Sequence, residues 1–255
     1  MELGGRRLIS SMAGQVWFLS RDPVGCREVQ AAFDSLGPGS ALRSLANELR
    51  GHVPQAMRCP HANHVLQKLL AVGEPEDMTF IIEELLGHSG LLCQAARHRY
   101  GCRVVQRVLM HFPHGLISEI LEILVAEAAA LARHPFGNYC VQRLLECGPE
   151  EAKRSVIAAL AANAGACGRS AYGCAALAAA FEYSAAPERA ALAAAVASEP
   201  SLLLDMALSR VGNTTAVRVL EELSPLQAQQ VRQEFLAASQ VLLKSRFGRL
   251  VAERL

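Results

Sequence analysis

Aromatic side chains make up only 5% of this chain of 255 residues, and runs that alternate polar with β-branched residues are nearly absent. Both absences argue against a sheet, whose strands draw on such residues in such order. An excess of charge is missing as well: 25 Lys and Arg stand against 24 Asp and Glu. Bulk attraction to a polyanion is therefore unavailable, and any nucleic-acid binding has to come from placed residues. The eight cysteines include no Cys-x-x-Cys pair, and their spacing fits neither a zinc ribbon nor a compact disulfide framework. They read as reduced thiols, expected in the cytoplasm, with the nucleus or nucleolus as alternatives. The N-terminus lacks the apolar core of a secretory signal. No apolar run reaches membrane-spanning length without charge; the richest, residues 117–132, carries Glu119, Glu122 and Glu127, so no membrane partner is expected. A nucleophile–base pair, paired carboxylates and a phosphate-binding glycine loop are all lacking, so the chain reads as a non-enzyme without a cofactor.

What is present favours helices. Just over half of the residues are hydrophobic, at 51%, and alanine is abundant, above all over residues 156–197. Alanine has the best intrinsic helix propensity, so an all-α fold is expected. Internal repetition then decides the architecture. The segment Arg-His-Pro-Phe-Gly-Asn-Tyr-Cys-Val-Gln-Arg, from Arg133, has a relative in Arg-His-Arg-Tyr-Gly-Cys-Arg-Val-Val-Gln-Arg, from Arg97. Aligning on the glycine finds seven copies, anchored at Gly25, Ala62, Gly101, Gly137, Gly173, Gly212 and Gly248, spaced 36 to 39 residues apart.

Two further registers agree. A proline follows each of the first six anchors by 12 to 14 residues: Pro38, Pro75, Pro113, Pro149, Pro187 and Pro225. Several precede acids, as helix first turns do. Four residues before the anchors stand Arg21, Arg58, Arg97, Arg133 and Arg169, then Leu208 and Lys244. A cation there suits the C-terminus of a preceding helix. Each repeat thus reads as three helices, in the fourth roughly residues 117–133, 137–147 and 149–162. Val141, Leu144 and Leu145 recur at helical spacing and are expected in the core. Trp17 is expected to pack in the core as well. The seventh repeat stops inside its middle helix, so its apolar side is expected to be frayed or covered by another chain or by further residues.

The informative positions follow the anchors. The next residue is Cys26, Asn63, Cys102, Asn138, Cys174, Asn213 and then Arg249. Four residues on come Gln30, Gln67, Gln106 and Gln142, then Ala178, Val217 and Glu253. Residues at i and i+4 lie one above the other on a helix, so Asn and Gln there can address one flat base. Amides carry donors and acceptors together, as a Watson–Crick edge requires. Beside them stand Arg27, His64, Arg103 and Tyr139, whose planar groups can stack on a base. In the last three repeats Ala175, Thr214 and Leu250 stack poorly.

With these seven anchors, alternating Cys and Asn, and four glutamines, nearly the whole chain resembles the Pumilio (PUF) family. The resemblance implies a right-handed α–α superhelix, an armadillo-like solenoid crescent of three-helix repeats, in one domain from about residue 6 to 255. It implies single-stranded RNA on the concave face, antiparallel to the protein, with two edge readers and one stacker per base. By that resemblance Cys26 and Gln30 with Arg27 read adenine, and Asn63 and Gln67 with His64 read uracil. Cys102 and Gln106 with Arg103 read adenine, and Asn138 and Gln142 with Tyr139 read uracil. The implied element, from 5′ to 3′, is U-A-U-A. Departures fall in the C-terminal half. Cys174 has Ala178 in place of glutamine, and Asn213 has Val217. Glu253 resembles a guanine-reading acid, yet its companion is Arg249. These four positions, Cys174, Asn213, Arg249 and Glu253, are the weaker RNA-binding candidates. Eight repeats are usual in the family, and here there are about seven, the last incomplete.

Plainer readings exist for each feature. A glutamine at i+4 is ordinarily a solvated polar residue, and only its recurrence in register argues otherwise. Cys174 and Asn213, taken alone, read better as small residues that let helices pack closely. Cys59, His61 and His64 cluster in sequence, and His111 and His114 stand at i, i+3, but neither group supplies the about four ligands of a closed zinc site, so no metal is expected. The leading expectation is sequence-selective RNA binding that acts post-transcriptionally on mRNA through recruited partners. The rival is a helical protein-interaction scaffold, with protein partners on the convex face or the C-terminal half. Between them lies a divergent relative that binds structured RNA with little sequence preference.

Overall fold

A computed structural model describes residues 12–254, so residues 6–11 and Leu255 of the expected repeat domain lie outside the described residues. Its ordered elements are all helices, with no strand among the described residues. The seven middle helices are Gly25–Leu36, Ala62–Val72, Gly101–His111, Gly137–Cys147, Ala171–Tyr183, Gly212–Glu222 and Arg246–Ala252. Five begin at the expected anchor; the fifth and seventh begin two residues earlier.

In repeat four the expected first helix, residues 117–133, is not one helix. The chain forms Ser118–Ala126, which completes repeat three, and then a separate short helix, Ala128–Ala132. Glu127 separates them, with φ −93° and ψ 2°. The same single-residue break recurs at Asn163 and Ala238. A short first helix, a long middle helix and a third helix is thus the repeating unit. The proline register falls at the third helices: Pro149 is the N-cap of Glu150–Ala162, and Pro187 and Pro225 sit in the first turn of theirs. Ser224 adds a capping box with Gln227.

The first five middle helices bury the positions four, seven and eight after their anchors, and the sixth buries Ala216 and Val219 but leaves Leu220 half-buried. Val141, Leu144 and Leu145 are buried as expected, as are Val105, Val108 and Leu109, and Leu177, Ala180 and Phe181. Burying a Val, Leu or Phe side chain contributes about 1.5–3 kcal/mol. Trp17, by contrast, is only half-buried: it stacks on His52 at 4.4 Å, with Arg21 5.5 Å from its ring centroid. Its indole gains more from a planar neighbour and a cation than the narrow first helix offers as core.

The chain divides into two compact units, Met1–Leu121 and Glu122–Leu255. In the first, the middle helices of repeats one, two and three pack in succession. In the second, those of repeats four to seven do the same. In repeat seven Leu242 and Val251 are buried, whereas Val241, Leu243 and Leu250 are more than half exposed. Among the described residues no single helix is long and apolar enough to cross a membrane. The bent pair Ala186–Ser198 and Leu202–Leu208 is apolar, but it buries Leu192, Val196, Leu202 and Met206.

Candidate nucleic-acid interface

The start of each middle helix is fixed by two devices. The first is close approach. A Cβ on Gly101 would lie 2.7 Å from the carbonyl oxygen of Ala95, and one on Gly212 2.8 Å from that of Met206. Six of the seven anchors are glycine because the preceding short helix presses its backbone there; repeat two alone accommodates a methyl, on the buried Ala62. The second device is a cap three residues before the anchor. The anchor amide donates to Asp22 Oδ2 in repeat one (2.7 Å), Cys59 Sγ in repeat two (3.4 Å) and His98 Nδ1 in repeat three (3.3 Å). It donates to His134 Nδ1 in repeat four (3.2 Å), and to Ser170, Ser209 and Ser245 Oγ in the last three (3.3, 2.7 and 3.3 Å). The amides of Gly25 and Val24 hold the Asp22 carboxyl below its ordinary value. The arginine register caps the short helices as expected in repeats three to five, whereas Arg58 donates to Gln94 and Arg21 lies over Trp17. Arg97, Arg133 and Arg169 donate to the carbonyls of Cys93, Ala129 and Gly165, each four residues back.

Within the first turn that these devices fix, the candidate readers adopt two arrangements. In repeats one and three, Gln30 Nε2 and Gln106 Nε2 donate to the carbonyl oxygens of Cys26 and Cys102, each at 2.9 Å. In repeats two and four, Gln67 Nε2 and Gln142 Nε2 donate instead to the side-chain oxygens of Asn63 and Asn138, each at 2.8 Å. Those asparagines are anchored in turn. Asn63 Nδ2 donates to Cys59 O at 2.7 Å, and Asn138 Nδ2 to His134 O at 2.9 Å and Pro135 O at 3.0 Å. Each glutamine so spends one N–H on its own repeat, which leaves the amide carbonyl and a second N–H for an outside partner, half-buried in Gln30, Gln67 and Gln142 and buried in Gln106. Holding the side chain in place beforehand lowers the entropic cost of binding. Arg27, His64 and Arg103 are exposed beside them, and Tyr139 is 42% exposed.

The last three repeats keep the frame and lose the readers. Cys174 is buried like Cys102, but Ala178 has no side-chain amide to add a second bond to its carbonyl. The next repeat fills the gap: Thr215 Oγ1 donates to Cys174 O at 3.2 Å, and Arg218 Nη1 to Ala178 O at 3.2 Å. Asn213 keeps the asparagine arrangement, donating to Ser209 O and Arg210 O, but its Oδ1 meets the Thr214 hydroxyl at 3.5 Å in place of a glutamine. Arg249 Nη1 turns back onto Leu243 O at 3.1 Å, and Glu253 is exposed. Among the described residues no three His, Cys, Asp or Glu gather as a metal-binding group, Cys59, His61 and His64 included.

Burial raises the thiol pKa of Cys26 and Cys102. It pushes Cys174 up to about 11, with the neighbouring Cys167 adding to the effect. All three are neutral thiols at physiological pH, and their sulfurs lie 3.5, 3.7 and 3.1 Å from the carbonyls of Pro23, Arg99 and Gly168. The near-zero net charge hides a segregation. The stretches 21–36, 58–72, 97–111 and 133–147, each a turn plus a middle helix, carry ten Lys and Arg against four Asp and Glu. A local excess of this kind favours a polyanion in spite of bulk neutrality.

The residues sequence reasoning missed are the caps and the pair Thr215 and Arg218. Ser170, Ser209 and Ser245, each three residues before a glycine, were a legible N-cap signal. Asp22, Cys59, His98 and His134 hid it by doing the same work with different chemistry.

Residues 52–86, 93–125 and 128–161 match the pattern of the Pumilio-family RNA binding repeat. Similar curated proteins include pumilio homolog 8, chloroplastic, of Arabidopsis thaliana, 38% identical over 103 residues, which span 40% of this chain and 19% of that protein. Pumilio homolog 1 of Xenopus laevis is 31% identical over 106 residues, 41% of this chain and 8% of that protein. The chain thus spans a fifth or less of the curated relatives' length. Among solved structures, PUF-8 in complex with PBE-RNA superposes with a TM-score of 0.84 at 20% identity, over 98% of this chain and 73% of that one. The Puf3 RNA-binding domain bound to a Cox17 RNA site gives 0.74 at 21% identity, over 87% and 70%. The fold is accordingly the helical-repeat solenoid of those domains.

Proposed function

We propose that this chain, a Pumilio-family repeat protein, binds single-stranded RNA through repeats one to four, one base per repeat, with U-A-U-A as the element read. The supporting observation is the set of four glutamines, each held by the residue after its own anchor and flanked by an exposed Arg, His or Tyr. The roles are assigned by register. Cys26, Asn63, Cys102 and Asn138 set the edge with their glutamines, and Arg27, His64, Arg103 and Tyr139 stack. Cys174 and Asn213 act in packing and capping, and Arg249 and Glu253 stay outside the reading scheme. No catalytic step is part of the reading. Regulation of mRNA in the cytoplasm through recruited protein partners would follow binding.

Fluorescence anisotropy tests this with U-A-U-A flanked by cytosines against an all-cytosine strand of equal length. Preferential binding of the first is expected. Tyr139→Ala should weaken it by ~1–3 kcal/mol, as removal of a base-stacking ring does. Tyr183→Ala, outside the register, should leave it unchanged. Equal binding of both strands, or equal effects of both substitutions, overturns the reading. A scaffold for a protein partner is the second reading, and one observation favours it: Leu226 and Leu236 are 68% and 66% exposed in the reader-poor repeats. It gains ground only if neither strand binds.

A further inference from the structure

The turns that lead into the middle helices have a charge pattern that base reading leaves unused. In the second compact unit these junctions are the four residues before each anchor, 133–136, 169–172, 208–211 and 244–247; Lys244 closes its short helix, and Tyr172 and Arg246 stand in the first turn of their middle helices. They hold five cations, Arg133, Arg169, Arg210, Lys244 and Arg246, and no acid. In a chain with 25 bases and 24 acids, sixteen residues drawn evenly would carry the two in equal number. Arg133 and Arg169 are partly committed: both cap carbonyls, and Arg169 also lies 3.7 Å from Glu199. Arg210, Lys244 and Arg246 are exposed and join no ion pair among the described residues. Aromatic rings accompany these cations. Phe136 and Tyr172, each immediately before its anchor, are 36% and 45% exposed.

These turns adjoin the first turn of the middle helices, where the readers of repeat four stand. They persist in repeats five to seven, where stackers and glutamines are gone. Cations with exposed rings and no base-edge amides suit a strand held by its phosphates and by stacking, without regard to sequence. We infer that the turns of repeats five to seven form a sequence-indifferent track for single-stranded RNA. Arg210, Lys244 and Arg246 meet phosphates and Tyr172 stacks a base, so the nucleotides 5′ of U-A-U-A are held without being read. The inference rests on the reading above for its polarity.

The test compares U-A-U-A RNA with the same core extended by three nucleotides on the 5′ side, in several sequences, and on the 3′ side. The 5′ extensions should all tighten binding to the same degree, and the 3′ extension should not. The variant Arg210→Gln/Lys244→Gln/Arg246→Gln should return the 5′-extended strands to the affinity of the core. It should also flatten the slope of log affinity against log salt by about 2, at ~0.7 per phosphate contact on a single strand. Tyr172→Ala should remove part of the gain while leaving the salt slope in place, which keeps the test open should the triple variant fail to fold. A 5′ extension that adds nothing, a gain that depends on the added bases, or a gain that survives the triple variant overturns the track. Should U-A-U-A show no preference while any strand binds and the triple variant releases it, base reading fails and the track stands. If no RNA binds at all, both fall.

Discussion

Repeats three and five start alike and end differently. Each places a buried cysteine after an anchor glycine that packs against the backbone of the preceding helix. Yet the carbonyl of Cys102 is taken by Gln106 of its own helix, and that of Cys174 by Thr215 of the next repeat. A buried cysteine in register is therefore a property of the frame. In the proposed scheme, reading depends on the glutamine and the exposed planar residue beside it. The substitution in repeat five is also compensated: inside its helix the Cys174 carbonyl keeps the backbone bond from Ala178, and the second lone pair, which Gln106 fills in repeat three, is filled by Thr215. Thr215 thereby closes the position to an incoming amide. The four N-terminal repeats and the three C-terminal ones thus share one frame and differ in what it carries.

The largest effect that would sharpen this contrast comes from removing all four stackers. Arg27, His64, Arg103 and Tyr139 changed together to Ala should abolish RNA binding, at ~1–3 kcal/mol for each. Thr214→Ala with Leu250→Ala should do nothing in the same anisotropy assay. Next in size is a change that should treat the halves equally. Leu144→Ala and Leu177→Ala, both in fully buried positions, should each cost ~2–5 kcal/mol in denaturant unfolding. A much smaller cost at Leu177 would mean that the frame, too, has loosened in repeat five. Smaller still is a change of preference. Cys102→Asn should let Gln106 adopt the arrangement of Gln67 and Gln142 and shift the third repeat from adenine toward uracil; an unchanged adenine preference there refutes the assignment. The smallest expected effect is a gain. Ala178→Gln alone should add nothing, since Thr215 holds the carbonyl it needs, while Ala178→Gln with Thr215→Val should give repeat five a measurable base preference.

Much of this was readable in the residues. Glycine and proline registers located seven middle helices, and the pattern Val141, Leu144, Leu145 located the core. The break at Glu127 was hidden because the buried positions on either side, Ile120, Leu124, Ala128 and Leu131, keep the phase of one continuous helix. Trp17 was misplaced because size and apolarity suggest burial, whereas its partner His52 lies in the next repeat and is invisible to local pattern. The role of Thr215 was out of reach for the same reason: its hydroxyl bonds a carbonyl 41 residues away. Local rules find what a helix does with itself, and contacts between repeats have to be seen.

The most direct test of the central claim is a substitution scan of a seven-nucleotide RNA, U-A-U-A preceded by three nucleotides, with each position changed in turn to all other bases. Loss of affinity at the four core positions, and indifference at the three before them, is the predicted profile. Equal sensitivity along all seven positions, or indifference at all of them, would contradict the division between reading and non-reading repeats.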